Sequence, residues 1–133
     1  MNSQHTYELG SPGEQGKHPV EMMCDLLLAE SIRTPFAALR LTVVDGKLGV
    51  VQARAGGEWK DIMKLPLPVY SALTAQFKVI AGLRPETLAD QESRLVVRED
   101  DRDTTMSVAV SLNASGKEEF LLDFSHEGPQ TPT

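Results

Sequence analysis

At 133 residues, with 41% apolar and 24% charged side chains, the chain fits one domain large enough to bury a core without disulfides or a structural metal. A formal net charge of −6, with Lys and Arg scattered singly, argues against a general nucleic-acid or anionic-membrane binder, which needs clustered cations. Apolar runs such as Leu26–Ala29 fall far short of the ~20 residues that cross a bilayer, and MNSQHTYELG lacks a signal-peptide segment, so a cytoplasmic protein without direct membrane insertion is expected.

The polar first seventeen residues lack apolar periodicity and read as a disordered tail. Pro19 suits the first turn of a helix, where its missing N–H costs nothing, and the helix is predicted over Pro19–Arg33 before Thr34-Pro35 stops it. Val20, Met23 and Leu27 trace its apolar stripe, widened by Leu26, Leu28 and Ile32. Cys24, the only cysteine, cannot form an intrachain disulfide and reads as a small buried hydrophobe. In Ala38–Val44, Leu39, Leu41 and Val43 alternate with Arg40 and Thr42, the period of a strand. Asp45-Gly46 signals a hairpin into Leu48–Arg54, and Ala55-Gly56-Gly57 a second turn into Glu58–Leu65, where Trp59, Ile62 and Met63 are the expected apolar anchors.

Pro66 and Pro68 open a second predicted helix with Val69, Leu73, Phe77 and Ile80 on its apolar face, and Gly82 is placed to cap it. Strands are then predicted over Ser93–Arg98, Thr104–Leu112 and Glu118–Phe124, separated by EDDRD and NASGK turns. The last eight residues, HEGPQTPT, read as a second tail, leaving residues 18–125 as a single module. The order αβββαβββ predicts an α+β fold, a six-stranded antiparallel sheet with both helices mainly on one face, in a PAS-like layout.

Three segments carry a family resemblance. Asp25–Arg33 resembles a "Leu-Leu-x-Glu-Ala-Ile" helix, Lys60–Pro66 a "Glu-Val-Met-x-Leu-Pro" corner, and Phe77–Leu83 an "Ile-Lys-x-Met-Ala-x-Leu" helix end. In that order they resemble the second N-terminal, pre-ATPase domain of the assembly ATPases of bacterial type II secretion and type IV pilus systems. The departures fall where that family has polar residues. Its first strand reads "Asp-Ile-His-Ile-Glu", and the corresponding Ala38–Thr42 keeps only the apolar face. The next family strand alternates arginines, of which Arg54 alone remains; Arg94 survives in Gln91–Arg94, while Leu88-Ala89 and Ser107 stand at other arginine positions. In the family such arginines approach nucleotide phosphates, so the resemblance implies Arg54 and Arg94 as the candidate interaction residues.

No GxxxxGK[ST] phosphate loop occurs, and Ser31, Ser71 and Ser111 lack a nucleophile-elbow context. His5 and His126 fall in the predicted tails and His18 before the first helix, which with one cysteine supplies no structural zinc set. Glu99–Asp103 lacks the ligand spacing of a calcium loop and reads as a solvated hairpin tip. No cofactor, metal or catalytic residue is therefore predicted. The leading expectation is a non-catalytic protein-interaction module whose partner is a secretion or pilus ATPase or another envelope-machine component, with self-association through an edge strand as a further mode. The alternative is a small-molecule sensor holding a ligand between sheet and helices near Met22, Met23, Met63 and Phe77.

Overall fold

The period-two patterns become strands of one continuous sheet, and the two helical patterns lie together across one of its faces. The computed structural model describes residues 4–9, 19–34, 36–84, 90–99, 101–112 and 116–124. In chain order these form β1 (Gln4–Glu8), α1 (Pro19–Arg33), β2 (Ala38–Val44), β3 (Leu48–Ala55), β4 (Glu58–Pro66), α2 (Leu67–Ile80), β5 (Gln91–Glu99), β6 (Arg102–Leu112) and β7 (Glu118–Asp123). The sheet order is β1-β5-β6-β7-β2-β3-β4, with every pair antiparallel except β1 on β5. The α+β class is as expected, but the sheet is mixed and seven-stranded rather than six-stranded and antiparallel. The seventh strand comes from the segment read as a tail: Gln4–Glu8 pairs with Arg94–Arg98, and Leu9 enters the core. The second predicted tail, 126–133, lies outside the described residues.

Alternation decides which side chains enter that core. Leu39, Leu41, Val51, Ala53, Leu95, Val97, Met106, Val108, Val110, Phe120 and Leu122 face the helices, from which Leu27, Leu28, Leu73, Phe77 and Ile80 descend. Each large side chain so buried contributes roughly 1.5–3 kcal/mol relative to exposure. Phe77 and Phe120 meet with ring centroids 6.3 Å apart. Leu26, expected to widen the stripe of α1, is 69% exposed, and Cys24 takes the inward place with its thiol 3.9 Å from the Leu73 carbonyl. Two glycines are required by their surroundings. A Cβ on Gly49 would stand 2.4 Å from the Tyr70 ring, so β3 and α2 can approach only there without a side chain. At Gly82, φ is +75°, and the Gly82 and Leu83 amides bond back to Val79 and Lys78 in a Schellman cap.

Burial also sets an alkaline limit on the fold. Desolvation pushes the Cys24 thiol up, with the Asp25 and Glu21 carboxylates adding to it, and desolvation likewise raises Tyr70, with Glu119 and Glu118 adding. Both groups therefore hold their protons more tightly folded than unfolded. The stability linked to them is complete below the ordinary values of 9.0 and 10.0 and is lost as pH rises through and beyond them. The melting temperature is expected to fall between about pH 8 and about pH 10.5, and to fall less in Tyr70→Phe. An equal drop in both proteins would exclude Tyr70 as a contributor.

Candidate functional site

The face of the sheet away from the helices carries the residues that alternate with the core, and their register can be followed strand by strand. One row runs Arg94 (β5), Ser107 (β6), Asp123 (β7), Ala38 (β2), Arg54 (β3) and Trp59 (β4). The next runs Glu92, Ala109, Leu121, Arg40, Gln52 and Asp61. Both predicted site residues thus lie on the helix-free face and in the same row, but four strand spacings separate them, about 19 Å. The fold does not bring Arg54 and Arg94 into one site.

Arg54 instead joins a cluster at the β3–β4 end of the sheet. The Arg40 guanidinium lies 4.2 Å from the Trp59 ring centroid and that of Arg54 lies 5.4 Å from it, both within the range of a cation–π contact. Arg40 donates from Nε and Nη2 to the Gln52 Oε1 at 2.9 and 2.7 Å, and Gln52 Nε2 donates to Asp61 Oδ1 at 2.8 Å. Gln52 therefore links Arg40 to Asp61 and fixes the guanidinium over the indole. Among the described residues Arg54 has no hydrogen-bond or ion-pair partner, which leaves its donors available to a ligand.

A bulge in β4 creates this arrangement. Val51 pairs with Met63 and Gln52 with Asp61, so Ile62 is an extra residue on β4. Strict alternation would put Trp59, Asp61, Met63 and Leu65 on one face. The inserted residue reverses the parity, sending Met63 and Leu65 to the core and leaving Trp59 and Asp61 on the open face. The expected anchors are corrected accordingly. Of the three, only Met63 packs against the core; Trp59 lies beneath two guanidinium groups and Ile62 is 41% exposed.

Elsewhere several charged residues form structural pairs. Glu99 is ion-paired to Arg33 and Asp103 to Arg98, and the Arg98 hydrogen bond holds the Asp103 carboxyl below the usual carboxylate range. Among the described residues no group of three His, Cys, Asp or Glu side chains is placed to hold a metal ion, and no helix is long and apolar enough to cross a membrane. His18, His126 and Asp100 lie outside the described residues. The residues read as lining a ligand seam are dispersed: Met22 is 52% exposed, whereas Phe77 is buried against Phe120. A cleft of about 250 Å³ does open beside α2, lined by Val43, Tyr70, Ser71, Thr74, Lys117 and Glu118 among others, away from those methionines.

Arg40 and Trp59 are the members of the cluster that sequence reasoning missed as site residues. The usable signal was Arg40 and Gln52 on adjoining strands at positions alternating with the core. No protein-family model matches the chain, and no curated protein matches it by sequence.

Proposed function

We propose that the chain is a non-catalytic protein-interaction module that docks its partner on the helix-free face of the sheet, anchored at the β3–β4 end by Trp59. The observation that carries this reading is the half-buried Trp59 on that face, with Arg40 and Arg54 over its ring. Tryptophan and arginine are the side chains most enriched where protein interfaces concentrate their binding energy. The unengaged Arg54 fork suits a partner carboxylate, which it can bind through two parallel hydrogen bonds. Seven strands span about 29 Å, and six residues of each about 20 Å, giving a platform of roughly 600 Å². That approaches the ~800 Å² each partner buries in an interface of standard size. The resemblance of the α1, β4 and α2 sequences to the pre-ATPase domain supports a partner of one class: a secretion or pilus assembly ATPase, or another component of such an envelope machine.

Affinity purification of the intact chain under gentle conditions, beside Trp59→Ala, tests the reading. A secretion or pilus component is expected with the parent and, for a hot-spot loss of about 2 kcal/mol or more, reduced about 30-fold with the variant at equal melting temperature. Recovery of no such component with the parent, or equal recovery with both, would count decisively against it.

A further inference from the structure

β4 forms one edge of the sheet, and among the described residues it pairs with β3 alone. Glu58, Lys60, Asp61, Ile62 and Lys64 are exposed, so most of that edge stands in solvent. The neighbouring strands send their cations toward it, because Arg40 of β2 and Arg54 of β3 both set their guanidinium groups over the ring of Trp59, a residue of the edge strand itself. Lys64 follows on the same face beyond the bulge. Three cations thus gather at this end of the open face against one carboxylate, Asp61, which already accepts from Gln52. Farther across the face stand Glu92, Glu119 and Asp123 beside Arg94, in a chain of net charge −6. The basic end is a local exception. A bulge, lysines and a closing proline are also the devices that keep a free edge from pairing indiscriminately, and β4 has all three in Ile62, Lys60 with Lys64, and Pro66. Such an edge repels a basic strand and favours an acidic one.

We propose that the β4 edge accepts an extended acidic segment of the partner as an added strand, whose carboxylates meet Arg54 and Lys64. The register fixes their spacing. Trp59 and Lys64 are five positions apart in β4, but the bulge lets β3 count four between their pairing residues, Arg54 and Val50. An added strand that likewise counts four keeps both carboxylates on the open face, whereas one that counts five turns one of them to the helix side. The residue midway between them stands beside Asp61, which favours a lysine there. The ligand is therefore an acid-x-base-x-acid strand, with main-chain bonds to the edge supplying affinity and alternate side chains supplying specificity. This site rests on the docking reading above through Trp59 and Arg54, and adds to it the edge, the extended form and the charge pattern.

The probe is a fluorescently labelled peptide, TEVKVET, whose sequence reads the same in both directions and so suits a parallel or an antiparallel added strand. Titrated against the full chain, it is expected to bind saturably, and TQVKVQT to bind at least about tenfold more weakly. Arg54→Gln is expected to weaken TEVKVET at least about tenfold, and the exposed Lys64→Gln about threefold, both at the parent's melting temperature. Amide hydrogen exchange is expected to slow within Glu58–Lys64 when the peptide is bound, which contact with the face alone would not produce. Saturable binding without slower exchange in that span, or equal binding of the two peptides, overturns the proposal. Absence of binding also overturns it, and if the intact chain still captures a secretion or pilus component through Trp59, the edge site falls alone and the docking reading stands. Peptide binding with slowed exchange but no captured component supports the edge site and sinks the partner class.

Discussion

Leu73→Asp is expected to abolish the cooperative thermal transition of this protein. Leu73 is fully buried in the middle of α2, within the core cluster that both helices share with the sheet, and its carbonyl faces the Cys24 thiol. Removing a leucine from such a site costs roughly 2–5 kcal/mol through lost transfer energy and the cavity left behind. An ionised carboxylate in the same place adds several kcal/mol of desolvation, or else protonates and leaves a hydroxyl to be satisfied. The sum is comparable to the roughly 5–15 kcal/mol that holds an ordinary domain folded. Leu73→Met conserves volume and polarity and is expected to cost under about 1.5 kcal/mol. Circular dichroism melts of both variants check this, and a melt of Leu73→Asp that overlays the parent's would show that α2 does not pack through this face.

The same core was largely legible beforehand because it obeys simple periods. Leu39 and Leu41 alternate with polar residues, and Leu73, Phe77 and Ile80 recur at helical spacing, so pattern alone assigned them inward. The Gly82 cap was legible for a local reason, since glycine best adopts the left-handed conformation that ends a helix. What escaped depended on contacts between distant segments. β1 and the residue after it offer only Tyr7 and Leu9 as apolar residues, and the partner strand, β5, is more than eighty residues away. A strand justified by one neighbour's edge has little signal of its own.

The candidate site escaped for a different reason. Trp59 is a large apolar residue two places from Asp61 in a strand, and hydropathy assigns it to the core. The bulge at Ile62 reverses that assignment, and only the pairing with β3 reveals the extra residue. Arg40 likewise looked like ordinary solvent-side alternation until the register put Gln52 beside it and Trp59 beneath it. Arg54 was singled out by resemblance to a nucleotide-facing position. In the fold its guanidinium stands 5.4 Å from the Trp59 ring centroid, and Arg94 is most of a sheet's width away.

Lys78 runs against hydropathy altogether, and it underlies the other large expected effect. It lies on the same helix as Leu73, is 1% exposed, and forms an ion pair with the Glu118 carboxylate at the start of β7. The Tyr70 hydroxyl, two turns earlier on α2, donates to the Glu118 carbonyl at 2.9 Å, so one residue fastens the helix to the central strand twice. Glu118→Ala retains the backbone carbonyl and strips a desolvated ammonium of its carboxylate. Breaking a buried pair from one side costs about 3–5 kcal/mol, and the lower end, about 3 kcal/mol, is expected here because the Glu118 side chain keeps 13% of its surface in water. Replacing both charges removes the penalty rather than doubling it, so Lys78→Met with Glu118→Ala is expected to recover stability to within about 1 kcal/mol of the parent. Urea titrations of the single and double variants measure both quantities. A loss below about 1 kcal/mol for Glu118→Ala alone would place the pair among solvent-screened surface bridges, and would leave the Tyr70 hydrogen bond and apolar packing to hold α2 on the sheet.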